Sequence, residues 1–259
     1  MFPDLFTLFG VKVDAYYVFW TLGLMLMVVW TRHRAVAFYQ MTYNDATDVL
    51  FYVFLGGVVG ALAGGFLQNT SLYLEQPRMI LNYRLVGLSS AHGFLLAGLS
   101  GLWKLKKLGL KINPFADAAA IPAAFMLFIG RWGCFSEGCC QGIETSSSLG
   151  VHFHYLPEGI YAYPTQLFES TASLFIGITL LWYEWRGRRS KKGLLQGSLF
   201  ALFFIGYGGY RFLFDALRDE SIFLGMRPGQ ISGLLALLMG IIWLWTSKKR
   251  GLFYPSPPC

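Results

Sequence analysis

Charge is what this sequence has least of: Asp, Glu, Lys and Arg together make up 14% of its 259 residues, against about 25% in ordinary soluble domains. Too few polar groups remain to cover a water-soluble globule of this length. Cysteine is also scarce, at four residues, which excludes a disulfide-stapled secreted module. The balance of charge and glycine excludes intrinsic disorder and a collagen-like repeat. What is present is apolar: 55% of the residues are hydrophobic, including 23 phenylalanines. The composition therefore defines an integral membrane protein. A net charge of +7 would point a soluble chain toward nucleic acid; in a chain this apolar the placement of charge outweighs its sum, and no nucleic-acid partner is expected.

Seven apolar stretches approach the roughly 17–25 residues needed to cross a hydrocarbon core of about 30 Å. They run from Ala15 to Thr31, Val49 to Leu67, Leu85 to Trp103, Phe115 to Phe135, Pro164 to Trp185, Leu194 to Ala216 and Gly229 to Thr246. The expected fold is all-α, with about seven transmembrane helices in one domain over residues 1–259. Connections after the first, third, fifth and seventh spans carry 2, 4, 5 and 3 lysines and arginines, a total of 14; the opposite side carries 5. Positive loops stay cytoplasmic, so the N-terminus is expected outside and the C-terminus inside. No basic segment precedes the first span and no small-residue cleavage site follows it, so it is read as retained rather than as a cleaved signal. Trp103, Trp182, Trp185, Trp243 and Trp245 fall at or near span ends, where amphipathic rings favour the interface. The longest connection, at about 136–162, has no lysine or arginine and is expected to lie over the outer span ends. The tail at about 247–259 is expected on the cytoplasmic side, with disorder around Pro255, Pro257, Pro258 and Cys259.

A charge in hydrocarbon costs at least about 2.5–3.5 kcal/mol, so charges within spans pair or face a polar cavity. Here there are several: His92, Asp117, Arg131, Glu137 at a span end, Glu169, Arg211 and Asp215. Arg211 and Asp215 are four apart and share a helix face. A purely structural account pairs Arg211 with Asp215, and Arg131 with Glu137 or Glu169. Two arginines on one cavity repel unless an anion completes the site. A guanidinium matches phosphate oxygens, and the abundant phosphates at this depth belong to lipid headgroups. A phospholipid is the expected ligand.

The segment from Gly130 to Gly142 places four glycines among charged and thiol residues at a span end, as backbone lining a cavity does. Cys134, Cys139 and Cys140 fit small-residue packing, a disulfide or a redox role on the acceptor side. Joined by His152 or His154 they would resemble a metal site, but their doubled pair departs from the paired spacing of zinc ligands; no metal and no cofactor is expected. In Tyr163-Pro164-Thr165-Gln166-Leu167-Phe168-Glu169, proline opens a helix and Gln166 and Glu169 share a face. Glu169 lies deeper than a cap requires and is read as a partner for an arginine.

Taken in order, these pieces resemble the prolipoprotein diacylglyceryl transferases, seven-span enzymes of the bacterial inner membrane. The resemblance rests on Ser90-Ala91-His92-Gly93, Asp117, Gly130-Arg131-Trp132-Gly133 with Phe135 and Gly138, Pro164 with Gln166, Leu167 and Glu169, Tyr207-Gly208 with Arg211-Phe212, and Gly229-Gln230-Ile231. Span one adds a match around Tyr17. The resemblance implies transfer of a diacylglyceryl group from phosphatidylglycerol to the lipobox cysteine thiol of a lipoprotein precursor, with release of glycerol phosphate, by a multi-pass protein that is expected to be a monomer. It implies Arg131 and Arg211 as donor-site arginines and His92 as the base. Tyr17, Gly133, Glu137, Gly138, Gln166, Glu169 and Asp215 are the expected substrate-binding positions. The chain departs from the family pattern at Phe94, Cys134, Glu137, Cys139, Tyr163 and Asp215, where the family has Gly, Asn, Asn, Glu, His and Glu. These departures lean toward the acceptor half, which leaves two alternatives: a paralogue using the same donor with another acceptor, or a membrane thiol–disulfide oxidoreductase.

Overall fold

The computed structural model describes residues 4–8, 11–75, 89–218, 222 and 225–254. A short hairpin of β1 (Asp4–Leu8) and β2 (Val11–Asp14) leads into α1 (Ala15–Tyr39), α2 (Tyr43–Gln68) and the single-turn α3 (Thr70–Glu75). Then come α4 (Ser90–Lys107), α5 (Ile112–Glu137), α6 (Thr165–Arg189), β3 (Leu194–Leu195), α7 (Ser198–Asp215), α8 (Pro228–Arg250) and β4 (Phe253–Tyr254). Each of the seven apolar stretches contains a helix; the sixth, expected from Leu194, opens instead on β3, and its helix begins at Ser198 after Gly197 turns the chain at φ 83°. α1 outruns its expected end at Thr31 by eight residues, because nothing from Arg32 to Phe38 breaks a helix; Gln40, at φ 57°, ends it. The expected start of the third stretch at Leu85 and the tail from Pro255 to Cys259 lie outside the described residues. Four helices, α1, α2, α5 and α8, are long and apolar enough to cross a membrane.

The chain forms two compact units, residues 32–115 and residues 1–31 with 116–259. In the first, α2 and α4 pack backbone to backbone. Gly56, Gly60 and Gly64 recur every four residues on α2 and meet Ser100, Leu96 and His92 of α4. This is the small-residue seam by which membrane helices approach closely. Thr42 starts α2, its hydroxyl accepting the Asp45 N–H at 3.1 Å, and Lys104 of α4 pairs with Asp48 at 2.8 Å.

In the second unit α1, α5, α6, α7 and α8 come together. A Cβ on Gly133 would press on the Tyr16 backbone and one on Gly130 on the Trp20 ring, so α1 lies close along α5. α8 likewise meets α7 through Gly233 and Gly240 against Gly208 and Ala201. α6 is unusual in what it buries: Thr165, Gln166, Glu169, Ser170, Ser173 and Glu184. Its polar face points inward, the reverse of a helix in a soluble bundle. Ser170 donates to the Phe128 carbonyl of α5 at 2.9 Å, and Ser173 to the Tyr210 hydroxyl of α7 at 3.1 Å.

Asp117 proves to be structural. Fully buried, it accepts the backbone N–H groups of Gly197 at 2.5 Å and Phe200 at 3.0 Å and the Tyr254 hydroxyl at 2.9 Å. It thereby caps α7 from a neighbouring helix and fastens the β3–β4 ladder. Fourteen helical residues at 1.5 Å each put it about 21 Å along α5 from Arg131, outside the charge cluster to which its position in an apolar stretch assigned it.

Candidate functional site

The centre of the second unit is one carboxylate held by three arginines. Glu169 of α6 is fully buried. It receives Arg131 of α5, Arg211 of α7 at 3.0 Å and Arg218 at 2.7 Å. Asp215, also fully buried, lies 3.4 Å from both Arg211 and Arg218. A Cβ on Gly229 would collide with that carboxylate, so the start of α8 has room for Asp215 only because it is glycine. The three guanidiniums are nearly enclosed, with side chains 11%, 15% and 5% exposed for Arg131, Arg211 and Arg218.

Arg218 is the residue that the sequence reading missed. It lies beyond α7, in a segment stitched to the loop after α5: Gly142 bridges Arg218, and the Ile143 N–H donates to the Leu217 carbonyl at 2.7 Å. Those bonds turn its side chain inward. Burial works most strongly against its charge, but Glu169, Cys140 and Asp215 together raise its pKa above the ordinary value. Among the described residues, three guanidiniums and two carboxylates meet in this nearly enclosed site. Arg131 Nε and Gln166 Oε1 are buried with no hydrogen-bond partner among the described residues. The arrangement can accept an anion, with guanidinium donors to spare.

Beside the arginines lies a shelf of thiols. Cys134 ends the buried face of α5, Cys139 is half-buried and Cys140 exposed, and all three are free. Their sulfurs lie within 4.8 Å of one another, while neither His152 nor His154 joins them: His152 Nδ1 is 2.9 Å from the Ile160 carbonyl, and His154 meets Tyr155 edge to face. The shelf is pinned to α6, since Gln166 Nε2 donates to the Cys139 carbonyl at 2.6 Å and Thr165 Oγ1 to the Cys140 carbonyl at 2.7 Å. Gly138, at φ 81°, turns the chain out of α5, and the Tyr155 hydroxyl donates to its carbonyl at 2.8 Å. Cys140 itself stands at φ 65°, a left-handed conformation that disfavours an L-residue by about 1–2 kcal/mol. Hydrogen bonds from Cys134 and Cys139, then Arg218 and Arg131, hold the Cys140 thiol below its ordinary pKa against the opposing effect of burial.

The structure thus brings Arg131, Arg211, Glu169, Asp215, Gln166, Gly138 and the three cysteines into one region. Gly133 serves it indirectly, by letting α1 close on α5. Tyr17 is 48% exposed; its neighbour Tyr16 is the ring within electrostatic reach of the three thiols. Glu137 is exposed at the end of α5 and stands apart from the arginines. His92 belongs to the other unit, on α4. Its Nδ1 is 2.7 Å from Ser89 Oγ, which receives Gln68 Nε2 at 3.2 Å, and Gly64 of α2 makes room for its ring.

Apolar helices around a buried cluster of arginines and carboxylates define a membrane protein. The particular family follows from comparison with known proteins. The family model of the prolipoprotein diacylglyceryl transferases matches residues 3–246, and the chain belongs to that family. Among its relatives is the phosphatidylglycerol–prolipoprotein diacylglyceryl transferase of Clostridium tetani, 29% identical over 85% of this chain and 86% of its own length. The enzyme of the same name from Vibrio atlanticus is 29% identical over 99% of this chain and 94% of its own. That from Bacillus cereus is 31% identical over 69% and 67%.

Proposed function

We propose that this protein transfers the diacylglyceryl group of phosphatidylglycerol to the cysteine thiol of a lipoprotein precursor. Full-length similarity to transferases of that name gives the reaction, and the observation that carries the site is the convergence of three nearly enclosed guanidiniums, Arg131, Arg211 and Arg218, on Glu169. The donor phosphate engages Arg131 and Arg211, with Arg218 as a third donor. The acceptor thiol loses its proton to His92, directly or through water, and the thiolate attacks the glyceryl carbon. The C–O bond to phosphate breaks, a thioether forms, and glycerol phosphate leaves with the bonding electron pair. Guanidiniums fixed in advance in a site of low dielectric stabilise the charge that builds on the leaving phosphate. His92 suits the step as the side-chain type that most often serves as a general base.

In this reading all seven long helices span the inner membrane of a bacterium, with the N-terminus outside, the C-terminus in the cytoplasm and the loop at about 136–162 over the outer face. One chain suffices, since every arginine of the site comes from it. Gln166, Gly138 and the thiol shelf form the wall on the acceptor side.

The test is mass spectrometry of a synthetic lipobox peptide incubated with the purified chain and phosphatidylglycerol. The unaltered chain adds a diacylglyceryl mass to the thiol; Arg131→Ala and Arg211→Ala each slow the reaction by at least about 100-fold, the loss expected for one stabilising donor. Glycerol phosphate release without modification of the peptide would refute the acceptor while keeping the donor.

A further inference from the structure

We propose that Cys134, Cys139 and Cys140 form a three-thiolate site for a thiophilic metal ion of the zinc or copper(I) type. The three sulfurs already lie within 4.8 Å of one another. Around a metal with bonds of about 2.3 Å, three sulfurs sit roughly 4 Å apart, so closure needs shifts of less than about 1 Å. No carboxylate or imidazole among the described residues joins them, and an all-sulfur donor set selects soft ions over magnesium or calcium.

The backbone is set for the purpose. Cys139 and Cys140 are held through their carbonyls by Gln166 and Thr165 of α6, and Cys134 is anchored in the last turn of α5. Cys140 keeps its side chain at φ 65°, where glycine would relieve the backbone but supply no sulfur. Cys139 Sγ meanwhile reaches the Cys134 carbonyl at 3.7 Å, across the turn that the metal would close. A divalent ion replaces three thiol protons, which pass to solvent, and keeps its oxidation state throughout. The resulting complex carries one negative charge, and Arg131 and Arg218 stand within electrostatic reach to balance it. The occupied site would fasten the loop after α5 to the helix that carries Glu169. This inference rests on the thiol geometry and is independent of the transfer reaction.

The experiment uses the full chain in detergent, reduced and then freed of reductant, with Cd(II) or Zn(II) added alone. Cd(II) should give a thiolate charge-transfer band at one ion per chain, and Zn(II) should suppress native alkylation of Cys140 as read by peptide mass. Cys259→Ser should leave both signals unchanged. Cys134→Ser, Cys139→Ser and Cys140→Ser should each weaken binding by more than about 100-fold, beyond the 10–100-fold that loss of a supporting residue produces. Where one of these variants fails to fold, the band and the protection of Cys140 in the unaltered chain still decide. The proposal is overturned by absence of the band, by binding indifferent to all three substitutions, or by a disulfide among the three in chain isolated without reductant.

Discussion

Glu169 answers to three guanidiniums at once, and its replacement exposes what each of them contributes. Glu169→Gln keeps the volume and removes the charge, leaving three arginines against Asp215 alone. Breaking a buried ion pair from one side typically destabilises by about 3–5 kcal/mol, so thermal unfolding in detergent should show a marked fall in Tm. Added inorganic phosphate should recover part of that fall in the variant and little in the unaltered chain, because the orphaned guanidiniums then take an external anion. Most of this cluster is legible in the sequence, since Arg131, Glu169, Arg211 and Asp215 are charges in apolar stretches. Arg218 is not, because it falls in a connection and reads there as one more loop charge. Its only signal is spacing: positions 211, 215 and 218 continue one helical face past the helix end. Asp117 misleads in the opposite direction, being a charge in an apolar stretch whose partners are backbone N–H groups.

At the scale of elements, apolar run length finds all seven helices but says little about how they meet. The α2 seam is invisible to it, because Gly56, Gly60 and Gly64 count in the composition as weak apolar residues while acting as contact surface. Gly60→Leu drives a side chain into the Leu96 and His92 positions of α4 and should destabilise by about 1–3 kcal/mol, as overpacking does. Gly98→Leu on α4, with nothing within 4 Å of its Cβ, should change stability by no more than about 0.5 kcal/mol, as for an open surface site. Thermal melts of the two variants side by side make the comparison. The helices that fall below the apolarity of a membrane span, α4, α6 and α7, are those carrying His92, Glu169 and Arg211. α6 and α7 carry buried polar and charged side chains, and α4 ends in Lys104, Lys106 and Lys107, which lowers the mean hydropathy of each.

Over the whole molecule, cations pair with tryptophan at the C-terminal ends of several helices. Lys107 lies over Trp103, Arg186 over Trp182, Arg189 over Trp185 and Lys249 over Trp245, at 5.0, 5.5, 4.0 and 3.7 Å from the ring centroids. Each pair sets a cation over an amphipathic ring, and α4, α6 and α8 all end this way; in the proposed topology these ends face the cytoplasm. A green fluorescent protein joined after the last residue should therefore fluoresce in cells, and alkaline phosphatase at the same point should be inactive. The opposite pattern would reverse the proposed topology. The loop after α5 was not readable from sequence, because its order comes from backbone bonds to Arg218, Tyr161 and Tyr163 that leave no periodic trace.

The carboxylate of Asp117 also sets a timetable for biosynthesis. Its partners lie 80, 83 and 137 residues downstream, and at 5–20 residues per second the last of them leaves the ribosome on the order of ten seconds after Asp117 itself. Until then the acid on α5 lacks the full set of three donors that the folded chain gives it, and Gly197 and Phe200 precede Tyr254 by more than fifty residues. The final strand thus supplies the last of these donors, and a chain ending between residues 219 and 253 contains every arginine of the site but lacks the Tyr254 hydroxyl that fastens its opposite end.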